Sequence, residues 1–144
     1  MTEDQKRKIK RLSRHNEMTK RVDDLTLKIA EAKEELYSPR IASYDLIVGG
    51  KRSTRSFSDR KEKLMDKIEA LEHDLILAMT EQAVEYGFIL KCIDKLINKN
   101  PEYSLTLIYR YIKGLRMDEI SKKIGHKNRR IYEIHKNVLD QLDI

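Results

Sequence analysis

This sequence of 144 residues has few of the residues that build disulfides, cysteine-rich metal sites or sheets. Cys92 is the only cysteine, so no intramolecular disulfide and no cysteine-based metal site can form within the chain. Trp is absent, Pro occurs twice and Gly five times. Such a composition favours long solvated helices over a sheet-rich core, and we expect an all-α fold.

Long apolar runs are also missing. No stretch approaches the roughly 18 consecutive apolar residues that a membrane-spanning helix requires. The first residues, MTEDQKRKIKRL, lack the apolar core of a secretory signal peptide. We therefore expect no membrane partner and a cytoplasmic protein.

Motifs for catalysis are absent from the sequence as well. There is no Gly-rich phosphate loop, no nucleophile motif and no cluster with metal-ligand spacing. Adjacent carboxylates such as Asp23 and Asp24 fall on charged helix faces, where solvation explains them. The sequence predicts neither an enzyme nor a cofactor or metal site.

Charge is plentiful, with 30 Lys and Arg against 24 Asp and Glu and a formal net charge of +6. A modest positive excess is compatible with a polyanionic partner without demonstrating one.

Apolar spacing predicts two long helices joined by a connector at residues 38–57. The first covers residues 3 to about 36, with fraying expected near its start, and ends before Pro39. The second begins at Ser58, a suitable N-cap, and ends near Asn98. Their stripes repeat at intervals of three and four residues: Val22, Leu25, Ile29, Ala32 and Leu36, then Leu64, Ile68, Leu71, Leu75 and Ala78.

These matched stripes predict an antiparallel helical hairpin over residues 1–99, since each apolar face needs a partner. Two interpretations of the hairpin stay open. It serves packing within one chain, or it also forms a homo-oligomer in the manner of a coiled coil. The basic connector, with Lys51, Arg52 and Arg55, is either a solvated loop or an additional DNA contact.

Residues 100–144 predict three short helices: about Pro101–Lys113, Met117–Ile124 and about Asn128–Leu142. Gly114 and Gly125 are natural helix ends. A short second helix, a glycine-containing turn and a third helix are the parts of a helix-turn-helix, which binds duplex DNA through its last helix.

Apolar residues of the third helix (Ile131, Ile134, Val138, Leu142) leave its other face exposed. Asn and Arg can form paired hydrogen bonds with base edges, and Lys holds phosphates. The residues predicted to read bases are Asn128, Arg129, Tyr132 and Glu133. Those predicted to bind phosphate are Lys122, Lys123, Lys127, Arg130 and Lys136. His126 and His135 are predicted to be a turn residue and a surface residue. Any three-helix bundle shows similar spacing, so a merely solvated basic face is the competing interpretation.

The stretch LIYRYIKGLRMDEISKKIGHKNRRIYEIHKNVLDQL resembles region 4 of bacterial sigma-70 factors. The likeness lies in a Tyr-containing helix, a Gly-Leu pair, Glu-Ile before a Gly, and a basic third helix. It implies promoter-base contacts by Asn128, Arg129 and Glu133. Lys127 stands where that family has a capping Ser or Thr, and Asn128 is the alternative cap.

Most of the chain, with its YSPRIASYD connector, is similar to small Gram-positive phage regulators, which include the late-gene activators of the ArpU and RinA kind. This resemblance implies a bacteriophage or prophage origin, transcription regulation in the host cytoplasm, and RNA polymerase as a further partner. A small terminase-type packaging subunit and a pure protein-interaction module are the alternatives.

Overall fold

The computed structural model describes residues 1–38 and 51–144, with side chains described up to residue 38 and from residue 58 onward. The described residues are helical, and no strand occurs among them. The elements are α1 (Glu3–Leu12), α2 (Arg14–Leu36), α3 (Lys51–Leu96), α4 (Pro101–Leu107) with a π-helical turn (Ile108–Ile112), α5 (Met117–Ile124) and α6 (Asn128–Gln141). The all-α class is thus confirmed. Among these residues no helix is both long and apolar enough to cross a membrane.

Two compact units divide the chain, and their bounds differ from the domains predicted at residues 1–99 and 100–144. Unit 1 consists of Met1–Thr19 and Thr80–Ile144, and unit 2 consists of Lys20–Met79. Unit 1 therefore combines the first residues with the last ones. Whether residues 1–99 and 100–144 act as separate domains stays a prediction.

Unit 2 contains the apolar stripes of the predicted hairpin. Leu25, Ile29 and Ala32 of α2 are buried, as are Leu64 and Ile68 of α3. An ion pair joins Lys33 Nζ to Glu72 Oε1 at 3.3 Å. The burial of these five apolar residues shows that the 3-4 spacing identified buried positions.

The predicted continuous helix over residues 3–36 is wrong, because Ser13 separates α1 from α2. The break falls where His15 and Asn16 interrupt the apolar stripe. The His15 Nδ1 nitrogen lies 3.2 Å from the carbonyl oxygen of Tyr111, and the Asn16 amide donates to the carbonyl of Arg110 at 3.2 Å. These polar side chains satisfy carbonyls at the end of the π-helical turn, which a local pattern does not reveal.

Fraying at the start of α1 is also not observed. Thr2 and Gln5 form a reciprocal capping box, which satisfies two backbone N–H groups. The Gln5 amide donates to Asp140 Oδ1 at 2.8 Å, and the Lys8 ammonium donates to the carbonyl of Leu139 at 2.8 Å. Leu12 is fully buried. α1 is therefore anchored to the end of α6.

The predicted N-cap at Ser58 is wrong, since α3 begins at Lys51 and Ser58 lies inside it. No Pro or Gly lies between Lys51 and Ser58 to interrupt a helix. The helix that begins at Lys51 therefore continues through Ser58 and Asp59. Residues 51–57 of the predicted connector are helical, and residues 39–50 lie outside the described part of the chain.

The core of unit 1 joins α1, α3 and the last three helices. Ile89, Cys92 and Leu96 of α3 are buried against residues of the later helices, with Leu12 of α1 in the same cluster. Burial raises the pKa of the Cys92 thiol, so this cysteine acts as a small apolar core residue.

We predict that Leu12→Ala lowers the free energy of unfolding of the full chain by about 2–5 kcal/mol, because it opens a cavity in this core. Leu27→Ala is the matched control, since Leu27 is 58% exposed on α2 and its replacement is expected to change stability by less than about 0.5 kcal/mol. Urea denaturation followed by circular dichroism measures both. Equal effects of the two variants would show that α1 is not part of the core.

Candidate nucleic-acid interface

α5 and α6 are joined by a tight turn whose geometry depends on glycine. Gly125 ends α5 with a φ of 87°, a conformation that costs other residues free energy. Its N–H donates to the Ser121 carbonyl at 2.8 Å, and the Ser121 hydroxyl donates to the His126 carbonyl. The predicted bounds of α5 are confirmed, and α6 begins at the predicted Asn128.

One side of α6 is buried and fixes the orientation of the other side. Ile131, Ile134, Val138 and Leu139 are completely buried. Tyr132 and Glu133 between the first two of these residues are exposed, and so are Lys136 and Asn137 in the next interval. This is the arrangement expected for a helix with an apolar stripe at 3.6-residue spacing.

All the predicted base-reading residues lie on the exposed side of α6. The Arg129 side chain is 94% exposed, and Tyr132 is 52% exposed. Asn128 and Glu133 are exposed as well. The structure brings these residues together on one helix.

Glu133 lies between two arginines. Its Oε1 is 3.9 Å from Arg129 Nε, and its Oε2 is 3.5 Å from Arg130 Nη1. Such exposed pairs contribute little to stability because water screens them. A ligand with hydrogen-bond acceptors could therefore displace Glu133 from either guanidinium at low cost.

The predicted phosphate-binding residues surround this side. Each of them is exposed: Lys122, Lys123, Lys127, Arg130 and Lys136. Within the part of the chain that the structure describes, the four lysines among them form no ion pair. Residues 117–136 contain six basic and three acidic side chains. The area therefore carries positive charge that acidic neighbours do not cancel.

The start of α6 lacks a side-chain cap. Lys127 occupies the N-cap position and makes no capping hydrogen bond, and no acidic residue lies in the first turn. Asn128 is the first helical residue and does not serve as the cap, so that alternative is wrong. The first backbone N–H groups of α6 add a partial positive charge to the basic side chains.

His135 is buried, whereas the sequence predicted a surface position. Its Nε2 lies 2.5 Å from the Tyr111 hydroxyl, and the residue is 3% exposed. It follows Ile131 by four residues, so the apolar spacing contained a signal for its burial. Burial lowers the pKa of His135 to about 4, with the charge of Arg110 acting in the same direction. Burial raises the pKa of Tyr111, so both groups are neutral near pH 7.

The π-helical turn positions Tyr111 for this contact. The Lys113 N–H donates to the Ile108 carbonyl at 2.9 Å, five residues back. Gly114 follows with a φ of 68°, and the Arg110 guanidinium donates to the Leu115 carbonyl at 2.9 Å.

His126 makes a second contact that helical spacing does not predict. Its Nε2 lies 2.7 Å from Glu102 Oε1, which connects α4 to the turn before α6. Sequence reasoning missed this pair and the pair of Tyr111 with His135, since the partners in each are 24 residues apart.

No group of three or more potential metal ligands occurs among the described residues. No protein-family model, no curated protein and no solved structure matches the chain.

We predict that acid destabilises unit 1 through His135. His135 binds a proton with the ordinary pKa of 6.5 in the unfolded chain but with a pKa of about 4 in the folded chain. The contribution of neutral His135 to the free energy of unfolding is therefore complete above pH 6.5 and is lost as pH falls toward 4. The loss amounts to about 3 kcal/mol.

Comparing the wild type with His135→Gln isolates this effect from the carboxylates, and His73→Gln, at an exposed position of α3, is the control. The free energy of unfolding of the wild type should fall more steeply between pH 6.5 and 4 than that of His135→Gln. Parallel profiles for all three proteins would contradict the prediction.

Proposed function

We propose that residues 100–144 form a helix-turn-helix that binds duplex DNA, with α6 in the major groove. The observation that carries this proposal is the exposure of Asn128, Arg129, Tyr132 and Glu133 on one side of a helix whose other side is completely buried. An α-helix about 10–12 Å wide fits a major groove about 12 Å wide.

The surrounding charge supports the same proposal. Lys122 and Lys123 lie in the last turn of α5, and Lys127 precedes α6. In a docked helix-turn-helix, these positions approach the DNA backbone while the start of the second helix approaches base edges. The lysines without acidic partners would then displace counterions from phosphates, which contributes to affinity.

The wider role we propose is regulation of phage or prophage transcription, as an activator in the bacterial cytoplasm with RNA polymerase as a further partner. Its support is the resemblance of residues 107–142 to sigma region 4. Residues 1–99 serve as a helical hairpin; the Lys33–Glu72 ion pair between α2 and α3 favours that arrangement.

Two other functions predict different results. A terminase-type packaging subunit would form a closed ring of many copies, which mass photometry would detect. A protein-interaction module would show no preference among duplexes in a selection from a random DNA library.

Arg129→Ala and Lys123→Ala should weaken DNA binding in different ways. Arg129→Ala is expected to cost about 1–3 kcal/mol on the selected site and to relax the preference at one base pair. Lys123→Ala should weaken binding to all sequences alike and reduce the slope of log K against log salt by about one unit. Fluorescence anisotropy over a salt series, repeated with single-base variants of the site, measures both quantities.

Each variant is the control for the other, since both remove an exposed cation from the same area. If Arg129→Ala weakens every duplex equally, Arg129 contacts phosphate rather than a base. If neither variant changes binding, α6 is not the element that enters the groove.

Self-association through the long helices is part of the proposal, because one helix-turn-helix offers little discrimination against a genome of competing sites. Tyr86, Leu90 and Ile97 of the α3 region are 42%, 40% and 54% exposed. Tyr86 and Leu90 are four residues apart and share one side of α3, whereas Ile93 is 7% exposed and packs in the core of unit 1.

Leu90→Gln should therefore lower the oligomeric mass of the protein, since it places an amide on the exposed apolar side of α3 that Tyr86 and Leu90 share. Val84→Gln is the matched control, because Val84 is 64% exposed and lies roughly 120° around the helix from Leu90. Sedimentation velocity at several concentrations measures the mass. A wild-type monomer at every concentration would contradict self-association.

A further inference from the structure

A second basic surface lies on α1 and the start of α2. Lys6 and Lys10 are exposed and are separated by four residues, so they share one side of the helix. Arg14 follows after another four residues, is exposed, and begins α2. Residues 1–20 contain seven basic and three acidic side chains. We refer to Lys6, Lys10 and Arg14 as the α1 basic surface.

Several basic residues of this region have acidic partners. Lys8 Nζ lies 3.1 Å from Asp4 Oδ2, Arg11 pairs with Glu85, and Nη2 of the exposed Arg7 lies 2.8 Å from Asp4 Oδ1. Lys10 and Arg14 form no ion pair among the described residues. Lys6 pairs with Glu3 at 3.1 Å, but that pair is exposed and therefore weak. The outward charge of α1 is thus available to a partner.

α1 lies beside the continuation of the exposed side of α6. That side runs through Asn128, Tyr132 and Lys136, and the next residue at the same four-residue spacing is the exposed Asp140. α1 contacts α6 at this point, because the Gln5 amide donates to Asp140 and the Lys8 ammonium donates to the Leu139 carbonyl. α1 therefore borders the proposed DNA-reading side at its C-terminal end.

The dimensions of B-form DNA indicate what α1 would meet there. Packed helices lie about 8–10 Å apart, axis to axis, and a major groove is about 12 Å wide. An element packed beside a helix that occupies the groove therefore reaches the wall of the groove, which is the sugar-phosphate backbone.

We propose that the α1 basic surface binds backbone phosphates of the DNA at the edge of the groove that α6 occupies. The chemistry is charge-assisted hydrogen bonding from ammonium and guanidinium groups to phosphate oxygens. The inference rests on the proposed function of α6 and adds to it a second, sequence-independent contact. It also assigns α1 a part in binding besides its packing against α6.

The test compares the double variant Lys6→Gln/Lys10→Gln with Lys91→Gln/Lys99→Gln. Lys91 and Lys99 are exposed, form no ion pair among the described residues and belong to unit 1. They therefore match Lys6 and Lys10 in charge and in exposure. The probe is a duplex of about 30 base pairs, roughly three helical turns, recovered by selection with the wild type. If selection enriches no sequence, a random duplex of the same length serves.

The α1 variant should reduce the slope of log K against log salt by about two units, because two phosphates would no longer be neutralised. It should leave the preference among base pairs unchanged, and the control variant should leave the slope unchanged. Thermal unfolding is expected to be the same for all three proteins, because the substituted side chains are exposed. An unchanged slope, or an equal reduction in the control, overturns the inference.

A second measurement locates the contact. A DNA-cleaving reagent attached to the cysteine of Lys10→Cys should cut the DNA backbone beside the selected site, at one position on each strand that the reagent reaches. The natural Cys92 is buried and therefore escapes labelling. Cleavage scattered along the duplex would overturn the inference. If the wild type binds no duplex at all, the proposed function fails, whereas binding that is insensitive to α1 leaves that function intact.

Discussion

Burial of one side of α6 is the constraint on which the candidate interface depends. Ile131, Ile134, Val138 and Leu139 fill the core of unit 1 and leave the helix no freedom to rotate about its axis. Removal of each such side chain from water contributes about 1.5–3 kcal/mol. Because Ile131, Ile134 and Val138 share one side of the helix, the exposed polar residues from Asn128 to Glu133 project away from that side.

Polar contacts then fix the two ends of this helix. At its start, the turn at Gly125 and the contact between His126 and Glu102 set where α6 begins. Near its end, α1 contacts Asp140 and the Leu139 carbonyl. A helix held by packing along one side and by hydrogen bonds at both ends presents its exposed side chains in a defined direction. Preorganisation of this kind reduces the entropy that binding must overcome.

The parts of the fold that were predicted correctly are those that depend on neighbours in sequence. The bounds of α5, the glycine turn and the inner side of α6 follow from local spacing and from the conformational freedom of Gly125. The break at Ser13, the anchoring of α1 and the pairing of His135 with Tyr111 depend on partners far along the chain. Those partners become neighbours only once the chain has folded, so no local pattern predicts the pairs. Ser58 shows the opposite error, since a suitable capping residue lies inside a helix that begins seven residues earlier, at Lys51.

The contact between Gln5 and Asp140 joins residues 135 positions apart. During synthesis, α1 leaves the ribosome long before α6 and must wait for all the intervening residues before its partner exists. Residues 20–79, which lie between the two segments of unit 1 in sequence, can pack among themselves earlier. Closing so long a loop costs entropy and slows folding. The surface proposed to bind DNA is therefore complete only after α6 has been synthesised and α1 has packed against it.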